Sequence, residues 1–284
     1  MTASCVRAPA QGDLVKIDLG THINGFIATG ATTVVCGENP LGQVTGRQAD
    51  VIACAYTCFE VAMRLVRPGL KVSGVPPALA AVAKAYGCEL VEGVMTHQMK
   101  QFIIDGNKVV LNRPNAEQKV EDHEFELNEV YAIDIAVSTG EGKARVTDER
   151  QTTVYKRDVA VDYQLKGRAA RAVFGEIQKR FPMTPFCIRS LSGKAGEVRL
   201  GLTECLAHGL ISPYPVLHEK KEALVAQVKG TILLTASGTD RITKSMLPEV
   251  KTDKAVEDEG IRTLLATSIS AKKRRKNKKD GKDN

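Results

Sequence analysis

The sequence predicts an α+β fold in which a basic helical segment interrupts a sheet domain. Three observations predict it: a strand pair near the amino end, two helical patterns directly after it, and two later apolar strands that flank a second helical pair. With 284 residues, 43% of them hydrophobic, the chain is long enough to bury a sizeable core.

The first two elements form a hairpin. Residues 14–19 alternate in the β sense, which places Asp18 on the face opposite Ile17. Gly25 marks the turn, and a second apolar strand reaches Val35. An isolated carboxylate on a buried strand is costly unless it is paired or binds a metal ion, so Asp18 is the first candidate functional residue.

Two helices follow the hairpin. A T-x-x-Q capping box predicts the start of the first helix at Thr45, and a Pro-Gly pair at Pro68 ends it. The second helix begins near Ser73, has prolines in its first turn and ends before Gly87.

The second half of the chain supplies further strands and helices. An irregular stretch around His97 leads to an apolar strand with Asp134 in its middle. Helical patterns follow at 164–181 and 195–209, and the strand "AQVKGTILL" contains Lys229. We expect four regions: residues 1–156, the first part of the sheet domain; 157–212, a basic helical insert; 213–255, closing strands; and 256–284, a charged, mostly disordered tail.

Positive charge is concentrated in two places. Residues 272–284 carry eight Lys or Arg and two Asp, which is +6 of the total net charge of +7. Residues 156–200 carry ten Lys or Arg and four acidic residues, again +6. Such concentration is typical of surfaces that bind polyanions.

Several classes of protein are not indicated. No apolar run approaches the roughly 20 residues of a membrane helix, so the sequence predicts no membrane partner. The seven cysteines are scattered and contain no C-x-x-C pair, so they indicate a reducing compartment and neither a disulfide framework nor a zinc site.

A long series of segments resembles the type II methionine aminopeptidases and other proteins of the pita-bread fold. The matching segments run from about residue 12 to residue 238 and are "GDLVKIDLGTHINGFIA", "GVMTHQMKQFIIDG", "NEVYAIDIAVSTGEG", "LISPYPVL" and "AQVKGTILL". The resemblance implies a pita-bread fold with the helical type II insert. The long N-terminal portion of such proteins is expected to be lacking, which favours a fragment or a misassigned start over an opened fold.

In the active aminopeptidases, two Asp, one His and two Glu hold a dinuclear metal centre that activates water. Carried over, the first Asp is Asp18 and the His is His97, but the second Asp falls on Thr29. The first Glu is Asp134, and the final Glu falls on Lys229. A cation without an acceptor in place of a bridging carboxylate implies that no metal or other cofactor is held. We expect the Lys229 ammonium to bridge Asp18 and Asp134 instead.

The lost ligands, the basic insert and the lysine-rich tail are similar to those of the proliferation-associated, ErbB-receptor-binding proteins, non-peptidase homologues of these enzymes. The resemblance implies a non-enzymatic protein of the cytoplasm, nucleus and nucleolus that binds RNA and associates with ribosomal or pre-ribosomal particles in ribosome biogenesis, translation or growth regulation. A basic helical surface can bind RNA through phosphate contacts and shape. The expected RNA-binding residues are Lys166, Arg168, Arg171, Lys179 and Arg180 in the insert and Lys272, Lys273, Arg274, Arg275, Lys276, Lys278 and Lys279 in the tail.

Two enzymatic alternatives remain open at this point. One is a metal-dependent methionine aminopeptidase with an atypical site. The other is a metal-free, creatinase-like hydrolase in which His97 is the general base. For the helical segment alone, a solvated helix face is as good an explanation as an RNA surface.

Overall fold

The computed structural model describes residues 8–114, 118, 120–244 and 246–269, and these form thirteen strands and five α-helices. The strands are β1 Leu14–Ile23, β2 Phe26–Val35, β3 Glu89–Leu90, β4 Met95–Met99, β5 Val109–Leu111, β6 Val130–Ser138, β7 Arg145–Val146, β8 Val154–Arg157, β9 Phe186–Cys187, β10 Ile211–Tyr214, β11 Leu217–His218, β12 Val225–Thr235 and β13 Gly238–Arg241. The helices are α1 Gly46–Leu65, α2 Val75–Ala85, α3 Arg168–Arg180, α4 Ala195–Ala207 and α5 Glu259–Ala266.

The chain divides into two compact units. The smaller, which we call the helical unit, consists mainly of residues 145–218 and contains α3, α4 and β7 to β11. The larger, the sheet unit, takes its described residues from 6–101, 105–144 and 219–284. Among the described residues, no helix has the length and apolar character needed to cross a membrane.

An antiparallel sheet of eight strands forms the sheet unit. Its main order is β1-β2-β12-β6-β4-β5, with β3 paired to β6 and β13 paired to β12. One face packs against α1 and α2, because alternate residues of β6 and β12, such as Ile133, Ile135 and Val228, are buried in one cluster with Phe59 and Leu79 of the helices. The opposite face carries the polar residues that the sequence singles out.

Gly230 sets the distance between β12 and α1. A Cβ at this position would lie 2.6 Å from Cζ of Phe59, which is closer than any side-chain carbon can pack. The missing side chain therefore lets the Phe59 ring lie directly on the strand.

The helices of the sheet unit follow the sequence closely, apart from one cap. The α2 helix begins with prolines in its first turn and is followed by Gly87 at a φ of 61°, as expected. Thr45 is the N-cap residue of α1, but its side chain makes no capping hydrogen bond. The predicted capping box is wrong because Gln48 donates its Nε2–H to the carbonyl oxygen of Gly12 instead.

Two expectations about the candidate residues are also wrong. Asp18 is not on a buried strand: β1 is the edge of the sheet, and the Asp18 side chain is 45% exposed. His97 is not on an irregular segment, because it lies in β4 and pairs with Ala132 of β6.

Part of the region 256–284 forms the helix α5. Asp258 caps the start of α5 by accepting a hydrogen bond from the Ile261 backbone N–H. Ile261 is buried in the main core, and Leu264 and Leu265 pack against it. The apolar face of α5 is ordered because it is buried in this way.

The helical unit has its own core. Buried residues of α3, including Val173 and Ile177, pack with Val198 and Leu202 of α4. Gly201 allows the two helices to approach, since a Cβ there would lie 2.8 Å from Cγ2 of Val173.

Candidate functional site

The register of the sheet brings three of the carried-over residues together. Asp18 pairs with Ala31, Ala31 with Lys229, and Lys229 with Asp134. Residues paired in this way share a face of the sheet, so they form one row across four strands. The small side chain of Ala31 leaves room above the row for the charged groups to meet.

Lys229 lies between the two carboxylates. Its Nζ is 2.6 Å from Oδ2 of Asp18 and 3.0 Å from Oδ2 of Asp134. The side chains of Lys229 and Asp134 are each 14% exposed, so this pair is the buried part of the cluster. The geometry is the bridge that the sequence leads us to expect.

Two polar side chains that the sequence does not single out complete the surroundings of Asp134. Gln227 donates from Nε2 to Oδ1 of Asp134 over 2.8 Å, and Asn112 donates from Nδ2 to the Asp134 main-chain oxygen over 2.6 Å. The hydroxyl of Thr96 in turn donates to Oδ1 of Asn112. Gln227 could have been found from the sequence, because it is two residues from Lys229 on the same strand face. Asn112 directly follows a three-residue strand, so no pattern marks it.

The two carboxylates of the cluster stabilise the charged form of Lys229. Burial acts to lower the pKa of Lys229, but the carboxylates of Asp134 and Asp18 outweigh it and raise the pKa above its usual value. Lys229 is therefore a cation throughout the physiological range, and the three charged groups together carry a net charge of −1.

His97 lies beside this cluster, and its pKa is lowered. Burial lowers its pKa, the nearby Lys229 ammonium adds to the effect, and the Asp134 carboxylate opposes it. Nδ1 of His97 is buried and has no hydrogen-bond partner among the described residues.

Thr29 lies on the same face of β2 as Ala31, but it contacts a different set of residues. The paired positions of β2 and β12 end at Gly230, and hydroxyl groups bridge the two strands beyond it. The Thr29 N–H donates to Oγ1 of Thr231, and the Thr29 carbonyl oxygen accepts from the hydroxyls of Thr231 and Thr243. Threonine at this position is thus part of the strand pairing.

These residues do not fit a dinuclear metal centre. An ammonium group, which has three N–H donors and no lone pair, lies within hydrogen-bond distance of both remaining carboxylates. Within the part of the chain that the structure describes, no group of three or more His, Cys, Asp or Glu side chains is placed to hold a metal ion.

The five basic residues that the sequence singles out in the helical unit lie at its surface. Lys166, Arg168, Arg171, Lys179 and Arg180 are exposed. Two of them make internal contacts: Arg171 donates to the Lys166 carbonyl oxygen, and Arg180 bonds to the Glu176 carboxylate and the Ser190 carbonyl oxygen. The side chains of the other three form no hydrogen bond or ion pair with any residue that the structure describes.

The tail residues Lys272, Lys273, Arg274, Arg275, Lys276, Lys278 and Lys279 lie outside the described residues.

Comparisons with known proteins agree on one family. The model of Metallopeptidase family M24 matches residues 4–154. The chain is 53% identical to ErbB-3 binding protein 1 of Solanum tuberosum over 95% of this chain and 68% of that protein, and 41% identical to the Curved DNA-binding protein of Schizosaccharomyces pombe over 96% and 72%. Other relatives are named methionine aminopeptidase.

A solved structure described as a thermophilic Arx1 superimposes with a TM-score of 0.82, at 29% identity, over 92% of this chain and 75% of that one. Together with the antiparallel sheet and its helices, this confirms the expected pita-bread fold. The chain thus belongs to metallopeptidase family M24, in the group that contains ErbB-3 binding protein 1 and the proliferation-associated proteins and is related to the methionine aminopeptidases.

Proposed function

We propose that this protein is a non-enzymatic member of its family that binds RNA and associates with ribosomal or pre-ribosomal particles, in the cytoplasm and in the nucleus or nucleolus. On this proposal it takes part in ribosome biogenesis, translation or growth regulation. The RNA-binding part rests on the exposed basic face of α3 and of the segment just before it, where Lys166, Arg168 and Lys179 have no partner among the described residues. Cations that the fold does not use are available to phosphates.

We base the proposed absence of catalysis on the residues of the sheet unit. Hydrolysis in the related aminopeptidases needs metal ions to polarise the carbonyl group and to generate hydroxide. Here the Lys229 ammonium forms ion pairs with both of the carboxylates that would hold them. We therefore assign Asp18, Thr29, His97, Asp134 and Lys229 to a degenerate metal site with a structural role.

One relative supports an association with nucleic acid: it is named Curved DNA-binding protein, and it is 41% identical to this chain. The basic tail, with seven Lys or Arg between residues 272 and 279, would add a nonspecific arm and a nuclear or nucleolar signal.

The decisive experiment is sedimentation of the purified protein with ribosomal particles, combined with RNA binding measured at several salt concentrations. A triple variant, Lys166→Gln, Arg168→Gln and Lys179→Gln, removes three charges from the helical unit. A matched control, Lys84→Gln, Lys100→Gln and Lys251→Gln, removes three exposed charges from the sheet unit. A truncation before Lys272 tests the tail.

We expect the first triple variant to lower RNA affinity and to reduce the magnitude of the salt slope by about 2, since each phosphate contact contributes about 0.7 to 0.9. The tail truncation should add to the loss, and the control should match the wild type. Equal behaviour of the two triple variants would refute the basic face of α3 as the RNA surface.

Enzymatic function is tested separately with methionyl peptides in the presence of Co²⁺, Mn²⁺, Zn²⁺ or Fe²⁺. We expect no turnover and no stoichiometric metal. Two metal ions per chain with peptide hydrolysis would restore the aminopeptidase alternative, and metal-independent turnover of small amides that is lost in His97→Ala would favour the creatinase-like one.

A further inference from the structure

An aromatic pair lies on the surface of the helical unit. The rings of Tyr163 and His208 are stacked, with centroids 3.7 Å apart and planes at 15° to one another. Tyr163 precedes α3, and His208 follows the last residue of α4, so the pair connects the two helices at one end.

Tyr163 is more exposed than the neighbouring aromatic residues. Tyr163 is 37% exposed, whereas Tyr155 and Phe181 are partly buried and pack against the cluster around Phe174 and Ile177. A large aromatic ring held at the surface by another ring leaves part of its area available for a ligand.

The aromatic pair lies at the end of the helical unit that also carries the exposed cations Lys166 and Arg168. The Gly167 N–H donates to Oε1 of Glu204 over 3.1 Å, which ties the start of α3 to the last turn of α4. His208 follows Glu204 by one turn, about 6 Å along the helix axis. Lys166 and Arg168 flank the tied residue, are exposed and have no partner among the described residues. The Glu204 carboxylate is engaged by the backbone N–H and is intermediate in exposure.

We propose that Tyr163, held in place by His208, is a stacking platform for an unpaired nucleobase, and that Lys166 and Arg168 bind the adjoining phosphates. This inference rests on the proposed RNA binding and names the class of ligand, which is single-stranded RNA. The bases of a duplex are already stacked on one another and are not presented to a protein ring, whereas unpaired bases stack readily on aromatic side chains.

The test compares an oligouridine strand with an RNA duplex of equal length in binding titrations at fixed salt. The variants are Tyr163→Ala, Tyr163→Phe, which keeps the ring, and Tyr214→Ala as a control at another exposed tyrosine of the same unit. The double variant Lys166→Gln and Arg168→Gln tests the cations independently.

We expect Tyr163→Ala to weaken binding of the single strand about tenfold and to leave duplex binding unchanged, because stacking on a protein ring favours unpaired bases. Tyr163→Phe and Tyr214→Ala should match the wild type, and the charge variant should weaken binding of both RNAs. If Tyr163→Ala lowers both affinities equally or neither, while the charge variant lowers both, the platform is refuted and RNA binding stands. If the wild type binds neither RNA, the proposed function fails and the platform with it.

Discussion

The sheet unit and the helical unit place their cations in different surroundings. In the sheet unit, Lys229 lies between Asp18 and Asp134 at 2.6 and 3.0 Å, and Gln227 adds a hydrogen bond to Asp134. In the helical unit, Lys166 and Arg168 extend into solvent without a partner among the described residues. A positive charge that holds a fold together is thus distinguished from one available to a ligand by its burial and its neighbours.

The largest expected effect tests whether Lys229 stabilises the sheet unit. Lys229→Met leaves two carboxylates facing each other without their cation, and we expect the free energy of unfolding to fall by about 3 kcal/mol. The measurement is chemical denaturation of the variant and the wild type, with Lys84→Met as an exposed control. Adding Asp18→Asn and Asp134→Asn to Lys229→Met should restore part of the loss. A variant as stable as the control would show that the bridge contributes nothing.

The second effect distinguishes the contributions of the two carboxylates to stability. Asp134 is 14% exposed and Asp18 is 45% exposed, so solvent screens the Asp18 contact far more. We expect Asp134→Asn to lower the unfolding free energy by about 2 kcal/mol and Asp18→Asn by at most about 1 kcal/mol. The same denaturation experiment measures both, and a reversed order would contradict the assignment of Asp134 as the buried partner.

The third effect tests the close packing of α3 against α4 in the helical unit. In Gly201→Ala, the new Cβ would lie 2.8 Å from Cγ2 of Val173 and 3.0 Å from the Ala169 carbonyl oxygen. We expect a loss of about 1 to 2 kcal/mol after the gain in helix propensity is counted. Gly175→Ala is the matched control, because nothing lies within 4 Å of its Cβ position, and it should gain up to about 1 kcal/mol. Thermal unfolding that ranks the two variants the other way would contradict the close approach of α3 and α4.

The smallest expected effect on stability tests whether the exposed cations of the helical unit contribute to its folding. Arg168→Gln with Lys179→Gln should change the unfolding free energy by less than about 0.5 kcal/mol, because neither side chain holds another described residue. The same double variant should lower RNA affinity. Arg180→Gln is the informative comparison, since Arg180 bonds to Glu176 and Ser190 and its loss should reduce stability as well. A double variant as destabilised as Lys229→Met would show that these cations are part of the fold.

The sequence by itself determined most of the local structure. Periodicity, prolines and glycines predicted α1, α2, the hairpin and the two later helices, because these signals act over a few residues. It also identified Lys229 as the departure from the related enzymes, since a cation cannot replace a bridging carboxylate.

Tertiary structure decided what those residues touch. Asp18 and Lys229 are 211 residues apart in the chain, and only the pairing of β1, β2, β12 and β6 brings them together. The same long-range pairing left Asp18 at an exposed edge and placed Asn112 behind Asp134, and packing against the main core buried the apolar face of α5. The stacking of Tyr163 on His208 likewise depends on how α3 and α4 pack. Such contacts are set by register and packing between distant segments, and no local pattern of residues encodes them.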